Sequence, residues 1–327
     1  MLNRSNLFNF VIAVLFTSTL ICAAVYSTAN AAWPEKPVRI IVSFPPGGAS
    51  DLVARLLGKH LTDELGQQFV VENKPGAAGT VAATALKKAN GDGYTFMLSN
   101  LTPFNVAPTR FPNTPYDPIK DFTHVTYIGT VHLGLLVKPE LGVKDLTSFI
   151  KLMKAKAGDY DYGTSGVGSW GHIISAQFKS LTSTDIVHIP YKGSGPMRLD
   201  FRSGTIPVIF DAVPQNMPVI QDGTAILLAV TANERQKNLP NVPTFTENGY
   251  SIVAENWLGF SAPSGLDPAI AKQIDAALQK VMNLEAVKKQ FAVWGLVRTP
   301  KSSEEFSAYV AEKFEEWKPL VKAAMKK

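Results

Sequence analysis

Cysteine, histidine and charged residues are scarce in this sequence of 327 residues, of which charged residues make up 18%. The single cysteine, Cys22, lies in an apolar N-terminal segment, so the rest of the chain can form no disulfide bond and supply no thiol nucleophile. The five histidines show none of the spacings, such as H-x-x-x-H, that metal sites use. We therefore expect a hydrophobic core to hold the fold together, and we predict neither a bound metal nor a cofactor.

Charge is almost absent from the N-terminal segment, where Arg4 is the only charged residue among the first 34. Residues 7–25 are mostly apolar, and residues 29–31 (Ala-Asn-Ala) fit the small-x-small pattern of a cleavage site. We interpret residues 1–31 as a secretory signal peptide and predict a periplasmic protein. A membrane anchor and a lipoprotein are the alternatives. Polar residues in the middle of the segment argue against the first, and bulky residues before the cysteine argue against the second.

The mature chain would carry little net charge. Removal of Arg4 leaves 31 of the 32 basic residues against 27 acidic ones, a net charge of +4. The lysines are scattered, with no basic stripe interleaved with aromatic residues, so nucleic acid is not an expected partner. A mild positive field favours small anions.

A strand, a glycine loop and the start of a helix follow one another near the mature N-terminus. Residues 38–44 form an apolar run rich in β-branched residues, which predicts a buried strand. Residues 45–48 (Pro-Pro-Gly-Gly) end it, and Ser50 or Asp51 is expected to cap the helix. A loop of this kind leaves backbone N–H groups unpaired at the positive end of a helix dipole, where an anion can bind. Taken alone, the stretch is equally compatible with a tight turn that binds nothing.

Strands and helices alternate along the whole chain, which predicts mainly parallel sheets covered by helices. Residues 101–124 contain five prolines and no clear periodicity, so we predict a long surface excursion there. Two separate strands, 125–129 and 133–137, are expected to follow it. Ligands of such sheets bind at the carboxyl ends of the strands, where we expect the loops starting at Phe44, Asn73 and Ser99.

A second strand, glycine loop and helix start spans residues 161–181. Residues 166–171 match G-x-G-x-x-G, but the acid expected at the end of the next strand is missing, which argues against a dinucleotide site. The surroundings of Ser165 differ from a nucleophile elbow. His172 lies in the first turn after Ser169, where it could support the loop, contact a ligand or act as a base. No acid is placed to orient it.

Two such glycine loops, one in each of two domains, would hold a small molecule with a carboxylate at each end. Closure of the domains would then bury that molecule. Binding without chemistry is the hypothesis that the residues themselves favour.

Ordered sequence blocks cover nearly the whole mature chain: Trp33–Val42, Phe44–Asp51, Val71–Gly79, Gly163–Ser169 with His172, Pro190–Gly193, Leu228–Thr231, Leu239–Thr244 and Trp257. Together they resemble the tripartite tricarboxylate transporter receptors, the Bug-type extracytoplasmic solute-binding proteins. The resemblance implies an α/β type II periplasmic-binding-protein fold with two α/β domains, two crossing strands and a ligand cleft. We place domain 1 at residues 32–130 plus 257–327 and domain 2 at residues 131–256.

The resemblance also implies a carboxylated ligand held by backbone amides and ordered waters. It places that ligand on two loops and beside Asp211, an acid that can bond an amino or hydroxyl group or else act structurally. Arg55 is expected to brace an acid such as Asp51, and Trp257 to belong to the hinge or the cleft wall. The candidate ligand-binding residues are Phe44, Pro46, Gly47, Gly48, Ala49, Ser50, Asp51, Thr164, Ser165, Gly168, Ser169, His172 and Asp211.

These observations predict a monomeric periplasmic receptor, not an enzyme, that captures a small mono-, di- or tricarboxylate. It would deliver the acid to the membrane subunits of a tripartite transporter. One alternative is an exported serine-type hydrolase that uses Ser169 and His172. Another is an orphan receptor that signals to a membrane sensor. The sequence leaves the identity of the acid open.

Overall fold

The computed structural model describes residues 33–325, and the predicted signal peptide lies outside these residues. The strands are β1 (Val38–Val42), β2 (Phe69–Asn73), β3 (Thr95–Asn100), β4 (Phe122–Val137), β5 (Asp161–Thr164), β6 (Val187–Pro190), β7 (Val208–Ala212), β8 (Ile226–Val230) and β9 (Glu255–Pro263). The helices are α1 (Ala49–Leu65), α2 (Thr80–Lys87), α3 (Ala107–Arg110), α4 (Leu146–Ala155), α5 (Trp170–Thr182), α6 (Ser194–Ser203), α7 (Val213–Gln221), α8 (Pro268–Met282), α9 (Glu285–Trp294) and α10 (Ser303–Ala324). Within residues 33–325, none of these helices combines the length and the apolar character needed to span a membrane.

The long strand β4 connects two sheets. Its first part pairs antiparallel with β9, β9 pairs with β3, and β3, β1 and β2 lie parallel to one another. Its last part, Leu133–Val137, pairs antiparallel with β7 and β8, and β7, β5 and β6 are parallel. We call the β1–β3 and β9 side the first lobe and the β5–β8 side the second lobe. The predicted α/β alternation is confirmed in both.

Strand β1 of the first lobe lies between β2 and β3 and is buried. Val38 and residues 40–42 of β1 are at most 1% exposed, as expected for a parallel strand covered on both faces. The second lobe has its own apolar core, in which Met197 and Phe201 of α6 lie with Ile209 of β7. Each lobe therefore supplies a rigid frame for the loops at its strand ends.

Residues 101–107 form a buried helical segment, and the predicted surface excursion was wrong over this part of the chain. A π-helical turn, Thr102–Val106, leads into α3, and Leu101 and Phe104 are fully buried. A π-turn repeats at a different interval from an α-helix, and Pro103 lies within it and Pro108 in α3 directly after it, so the apolar residues show no regular period.

Trp257 lies on the crossing strand β9 and is completely buried next to this turn. Of the two predicted positions, the hinge or the cleft wall, the cleft wall was wrong. The Trp257 indole N–H donates to the Asn105 side chain at 2.7 Å, and its ring packs against Phe104 and Phe306. The Asn105 amide in turn donates to the Val310 carbonyl at 2.8 Å. The tryptophan thus connects the crossing strand to the core of the first lobe.

Strand β4 is continuous where two separate strands were predicted. Thr130 and His132 break the apolar pattern of the sequence, but both are buried within the strand. The His132 ring lies 3.2 Å from the Gln236 side-chain nitrogen, and the pairing with β9 shifts register near Gly129. Buried polar residues with partners can occupy a strand that sequence periodicity alone divides in two.

Candidate ligand-binding site

Two adjoining cavities lie between the strand-end loops of the two lobes. The inner chamber has a volume of about 60 Å³ and the outer chamber about 380 Å³, and both are lined by Phe44, Pro45 and Ser165. The loops after β1, β2, β5 and β6 and the segments after β3 and β7 all contribute lining residues. The cavities therefore occupy the position where open α/β sheets bind their ligands.

Seven of the candidate residues line these chambers, and six do not. The inner chamber is lined by Phe44, Gly48, Ala49, Ser50, Ser165 and Asp211, and the outer chamber also by Ser169. The others lie behind the chamber walls: Pro46, Gly47, Asp51, Thr164, Gly168 and His172. Most of this second group supports the loops.

Sequence reasoning missed several lining residues. In the inner chamber these are Pro45, Thr102, Leu133, Trp170, Gly171, Ser194, Phe210, Ala212, Gln215 and Asn256. In the outer chamber they include Lys192 and Gly193. Val167 lies between the candidate residues Ser165 and Gly168, and the loop after β2, residues 75–79, belongs to the loop starting at Asn73 that the sequence predicts at this edge of the sheet. No sequence pattern indicated a role for Asn256 in the site, because this residue lies on a crossing strand that is far away in sequence.

The N-terminus of α1 is held by a carboxylate inside its first turn. Gly48 is the N-cap and makes no side-chain bond, so the predicted cap at Ser50 or Asp51 was wrong. Asp51 instead accepts bonds from the Gly47 N–H at 2.9 Å, from Arg55 at 3.0 Å and from Asn73 at 2.9 Å. Burial opposes ionisation of Asp51, but these bonds outweigh it and keep the pKa of its carboxyl below the ordinary value. The expected brace between Arg55 and Asp51 is confirmed.

The N-terminus of α5 is held by two neutral histidines. Ser169 is the N-cap and accepts the backbone N–H of His172, whose ring nitrogen Nδ1 accepts the Gly168 N–H at 3.2 Å. The His172 ring stacks on His188, with ring centres 4.5 Å apart, and His188 lies 2.7 Å from the Thr164 hydroxyl. Burial, helped by nearby Arg110, lowers the pKa of His172 to about 4, and burial likewise lowers the pKa of His188 to about 4. Both rings are therefore neutral supports at pH 7.

The stability of the protein is expected to fall as the pH decreases from about 6.5 towards 4. His172 and His188 have a pKa of about 4 in the folded state and an ordinary value of 6.5, so unfolding takes up protons in this interval. Their contribution is complete above pH 6.5 and is lost as the pH falls through the folded pKa. Melting temperatures recorded by circular dichroism between pH 7.5 and 4 check this. The variant His172→Gln should show a shallower decline, and an unchanged slope would contradict the assignment.

Four helices begin at the walls of the two chambers. Their N-caps are Gly48 for α1, Ser169 for α5, Gly193 for α6 and Ala212 for α7. Each helix end presents unpaired N–H groups and roughly half a positive charge. None of the residues that line the inner chamber is a lysine or an arginine. The main chain is therefore the principal source of positive potential for an anion there.

The second-lobe wall of the inner chamber combines hydrogen-bond acceptors with a donor. Asp211 accepts bonds from the Ser194 hydroxyl and the Asn216 amide, both at 2.8 Å. Burial raises the pKa of Asp211 above its ordinary value, although these bonds and Arg198 oppose the shift. Among the described residues, the Trp170 indole N–H and the Gln215 side-chain oxygen are buried and have no partner. Trp170 and Gln215 thus place an unpartnered donor and an unpartnered acceptor at this wall.

Two arginines bond across the gap between the lobes. Arg198 on α6 donates to the Gly47 carbonyl in the first lobe at 3.1 Å and to the Gln215 carbonyl in its own lobe at 3.1 Å. Arg110 at the end of α3 donates to the Val167 carbonyl in the second lobe. Each arginine reaches a glycine loop of the opposite lobe, so the bonds hold the two lobes together over the chambers.

No group of three or more His, Cys, Asp or Glu residues within residues 33–325 is arranged to hold a metal ion. The polar groups described above suit an organic ligand through hydrogen bonds and main-chain dipoles.

Known proteins are similar to this chain in sequence and in fold. The profile of the tripartite tricarboxylate transporter family receptor matches residues 53–325. Protein BugT of Bordetella pertussis is 33% identical over 292 residues, which cover 89% of this chain and 90% of BugT. The structure of Rpa4515 from R. palustris with adipate superposes with a TM-score of 0.85 at 29% identity, covering 89% of this chain and 98% of the other. MatC from Rhodopseudomonas palustris with bound malate gives a TM-score of 0.82 at 28% identity, covering 88% and 100%.

These neighbours confirm the predicted fold of two α/β domains with a cleft between them. The match to the receptor profile covers well over half of the chain, and BugT exceeds 30% identity over most of its length. The chain belongs to the tripartite tricarboxylate transporter receptor family.

Proposed function

We propose that this protein is a solute-binding receptor that captures a small carboxylated organic acid in the inner chamber and delivers it to the membrane subunits of a tripartite transporter. The observation that carries the proposal is the convergence of four helix N-termini on chambers whose inner part has no cationic side chain in its lining. Backbone N–H groups at helix N-termini bind carboxylates well. The structures of two family relatives with adipate and with malate support the same class of ligand.

The acid would lie between Ser50 of the first lobe and Ser165 of the second, close to the N-termini of α1 and α5. The unpartnered Trp170 N–H would donate to an oxygen of the acid. Asp211 and the Gln215 oxygen would accept a bond from a hydroxyl or amino group, where the acid carries one. A ligand that satisfies these groups removes the cost of burying them without partners.

Closure of two domains would then enclose the ligand. We propose the division into residues 32–130 plus 257–327 and residues 131–256, which lies close to the point where the partners of β4 change, between His132 and Leu133. The arginine bonds across the gap would favour the closed state. A periplasmic location agrees with the receptor family and with the signal peptide proposed for residues 1–31.

The arrangement around Ser169 supports binding without catalysis. Its hydroxyl accepts the backbone N–H of His172, and the Nδ1 atom of that histidine accepts a backbone N–H. No hydrogen bond among the described residues joins the imidazole to a carboxylate, and the pKa of about 4 makes His172 a weak base. A serine hydrolase needs the base on the serine hydroxyl and an acid behind the base. We therefore propose that the protein is not an enzyme.

A thermal-shift screen against mono-, di- and tricarboxylates tests the receptor directly. An acid present at a hundred times its Kd should stabilise the folded protein by about 2.7 kcal/mol. Matching amides or alcohols should have no such effect. If no acid raises the melting temperature while an ester is hydrolysed, the hydrolase is the better account.

Transport and signalling differ in the partner of the loaded receptor. Deleting the genes for neighbouring transporter membrane subunits and measuring uptake of the identified acid separates them. Loss of uptake supports delivery to a transporter, and unchanged uptake with a lost transcriptional response supports signalling to a membrane sensor.

A further inference from the structure

The outer chamber differs from the inner one in size and chemistry. It has a volume of about 380 Å³, against about 60 Å³ for the inner chamber, and the two share Phe44, Pro45 and Ser165. The inner chamber is the smaller and the more polar of the two. A ligand that is longer than the inner chamber would continue into the outer chamber.

The lining of the outer chamber is predominantly apolar or glycine. Pro75, Ala77 and Ala78 come from the loop after β2, and Val167 comes from the loop after β5. Val167 is 44% exposed, which is unusual for a valine and leaves its side chain open to contact. Such a surface favours methylene groups or a ring over a second cluster of polar groups.

The loop after β2 adopts a backbone conformation that is costly for its residues. Ala77 and Ala78 have φ values of 46° and 53°, in the left-handed region that non-glycine residues rarely adopt. This conformation turns the loop between the flanking Gly76 and Gly79, so that residues 75–79 together form one wall of the outer chamber.

A single cationic side chain, Lys192, lies among the residues that line the outer chamber. Its side chain is exposed, and no ion pair within residues 33–325 involves it. A cation of this kind at the mouth of an apolar cavity suits an anionic group at the far end of an elongated ligand.

We infer that the ligand is an elongated acid rather than a compact four-carbon one. Its first carboxylate lies in the inner chamber, an apolar body of about four or more methylenes or a ring lies against Val167 and the loop after β2, and a second anionic group faces Lys192. This inference rests on the proposed receptor function and specifies its substrate class.

Titration calorimetry with straight-chain α,ω-dicarboxylates of four to ten carbons tests the inference on the unmodified protein. Burial of each added methylene should improve the Kd about three- to fourfold until the outer chamber is filled. An affinity that stays level or declines beyond four carbons overturns the inference and leaves the receptor function intact. If none of the acids binds, the proposed function itself fails, and this inference falls with it.

Two variants test the two parts of the outer chamber separately. Val167→Asp should weaken the binding of the eight-carbon diacid about tenfold or more and leave the binding of succinate nearly unchanged. Val253→Asp, at a residue with the same 44% exposure outside the chambers, should change the affinity for neither acid.

Lys192→Gln should weaken the binding of the eight-carbon diacid about two- to fivefold and leave the affinity for the monocarboxylate of equal length unchanged. Lys272→Gln is the control. Equal effects on long and short acids would overturn the assignment of the outer chamber.

Discussion

Gly48→Val is expected to lower the affinity for any bound acid about tenfold to hundredfold and to leave the melting temperature almost unchanged. Gly48 lines the inner chamber, and a Cβ atom placed on it would meet no other atom within 4 Å. Its φ of −84° suits any residue, so the valine creates no backbone strain. The added side chain would occupy ligand space, and forcing atoms into a filled site costs about 1–3 kcal/mol.

Calorimetry and thermal unfolding of the same preparation separate these two effects. Gly47→Val provides the contrast, because Gly47 has a φ of 88° and a valine there would strain the backbone. That variant should lose stability in the absence of ligand, whereas Gly48→Val should not. Unchanged affinity in Gly48→Val would remove the loop after β1 from the binding site.

Arg198→Met is expected to weaken the binding of every acid by a similar factor, about tenfold to hundredfold, mainly through faster release. The Arg198 guanidinium bonds the Gly47 carbonyl across the gap but does not line either chamber. A hydrogen bond to a charged donor is worth about 1.5–3 kcal/mol, and this one exists only while the lobes are together. Its loss should destabilise the closed state without altering the ligand's own contacts.

Stopped-flow measurements of association and release for two acids of different length check this. Arg202→Met is the matched control, since it is exposed on the same helix one turn further on. A similar loss for both acids supports a role in closure. If Arg198→Met changes the preference between the acids and leaves release unchanged, Arg198 acts on the ligand and not on the lobes.

The regular parts of the fold were accessible from the sequence. Residues 38–42 and 208–211 are apolar runs next to turn residues, and both are buried strands in the structure. The glycine loop before α5 was recognised because glycine, serine and a helix start follow a short strand. These features depend on local chemistry, which a single segment contains.

The parts that were missed depend on contacts between distant segments. The buried π-turn at residues 102–106 is stabilised by Trp257 through Asn105, about 150 positions away. The inner-chamber residue Asn256 and the bond from Arg198 to Gly47 likewise join segments that no local pattern connects. Six of the thirteen candidate site residues therefore proved to lie behind the chamber walls only once both lobes were in place.

His172 shows why residue type alone does not assign a role. A histidine beside a serine in a glycine loop is compatible with a base, a ligand contact or a support. The choice among these depends on which atoms face the ring: a backbone N–H at Nδ1, a second imidazole on its face and little water. That environment favours the neutral form, and the support role follows from it.

The most direct test of the account compares one carboxylic acid with its methyl ester in titration calorimetry. The ester has nearly the same shape but no negative charge at that end, so it cannot gain from the helix N-termini around the chambers. We predict that the acid binds at least about tenfold more tightly than the ester, since charge-assisted hydrogen bonds are worth about 1.5 kcal/mol or more, and that the ester is recovered unchanged. Equal affinities, or hydrolysis of the ester, would contradict the account.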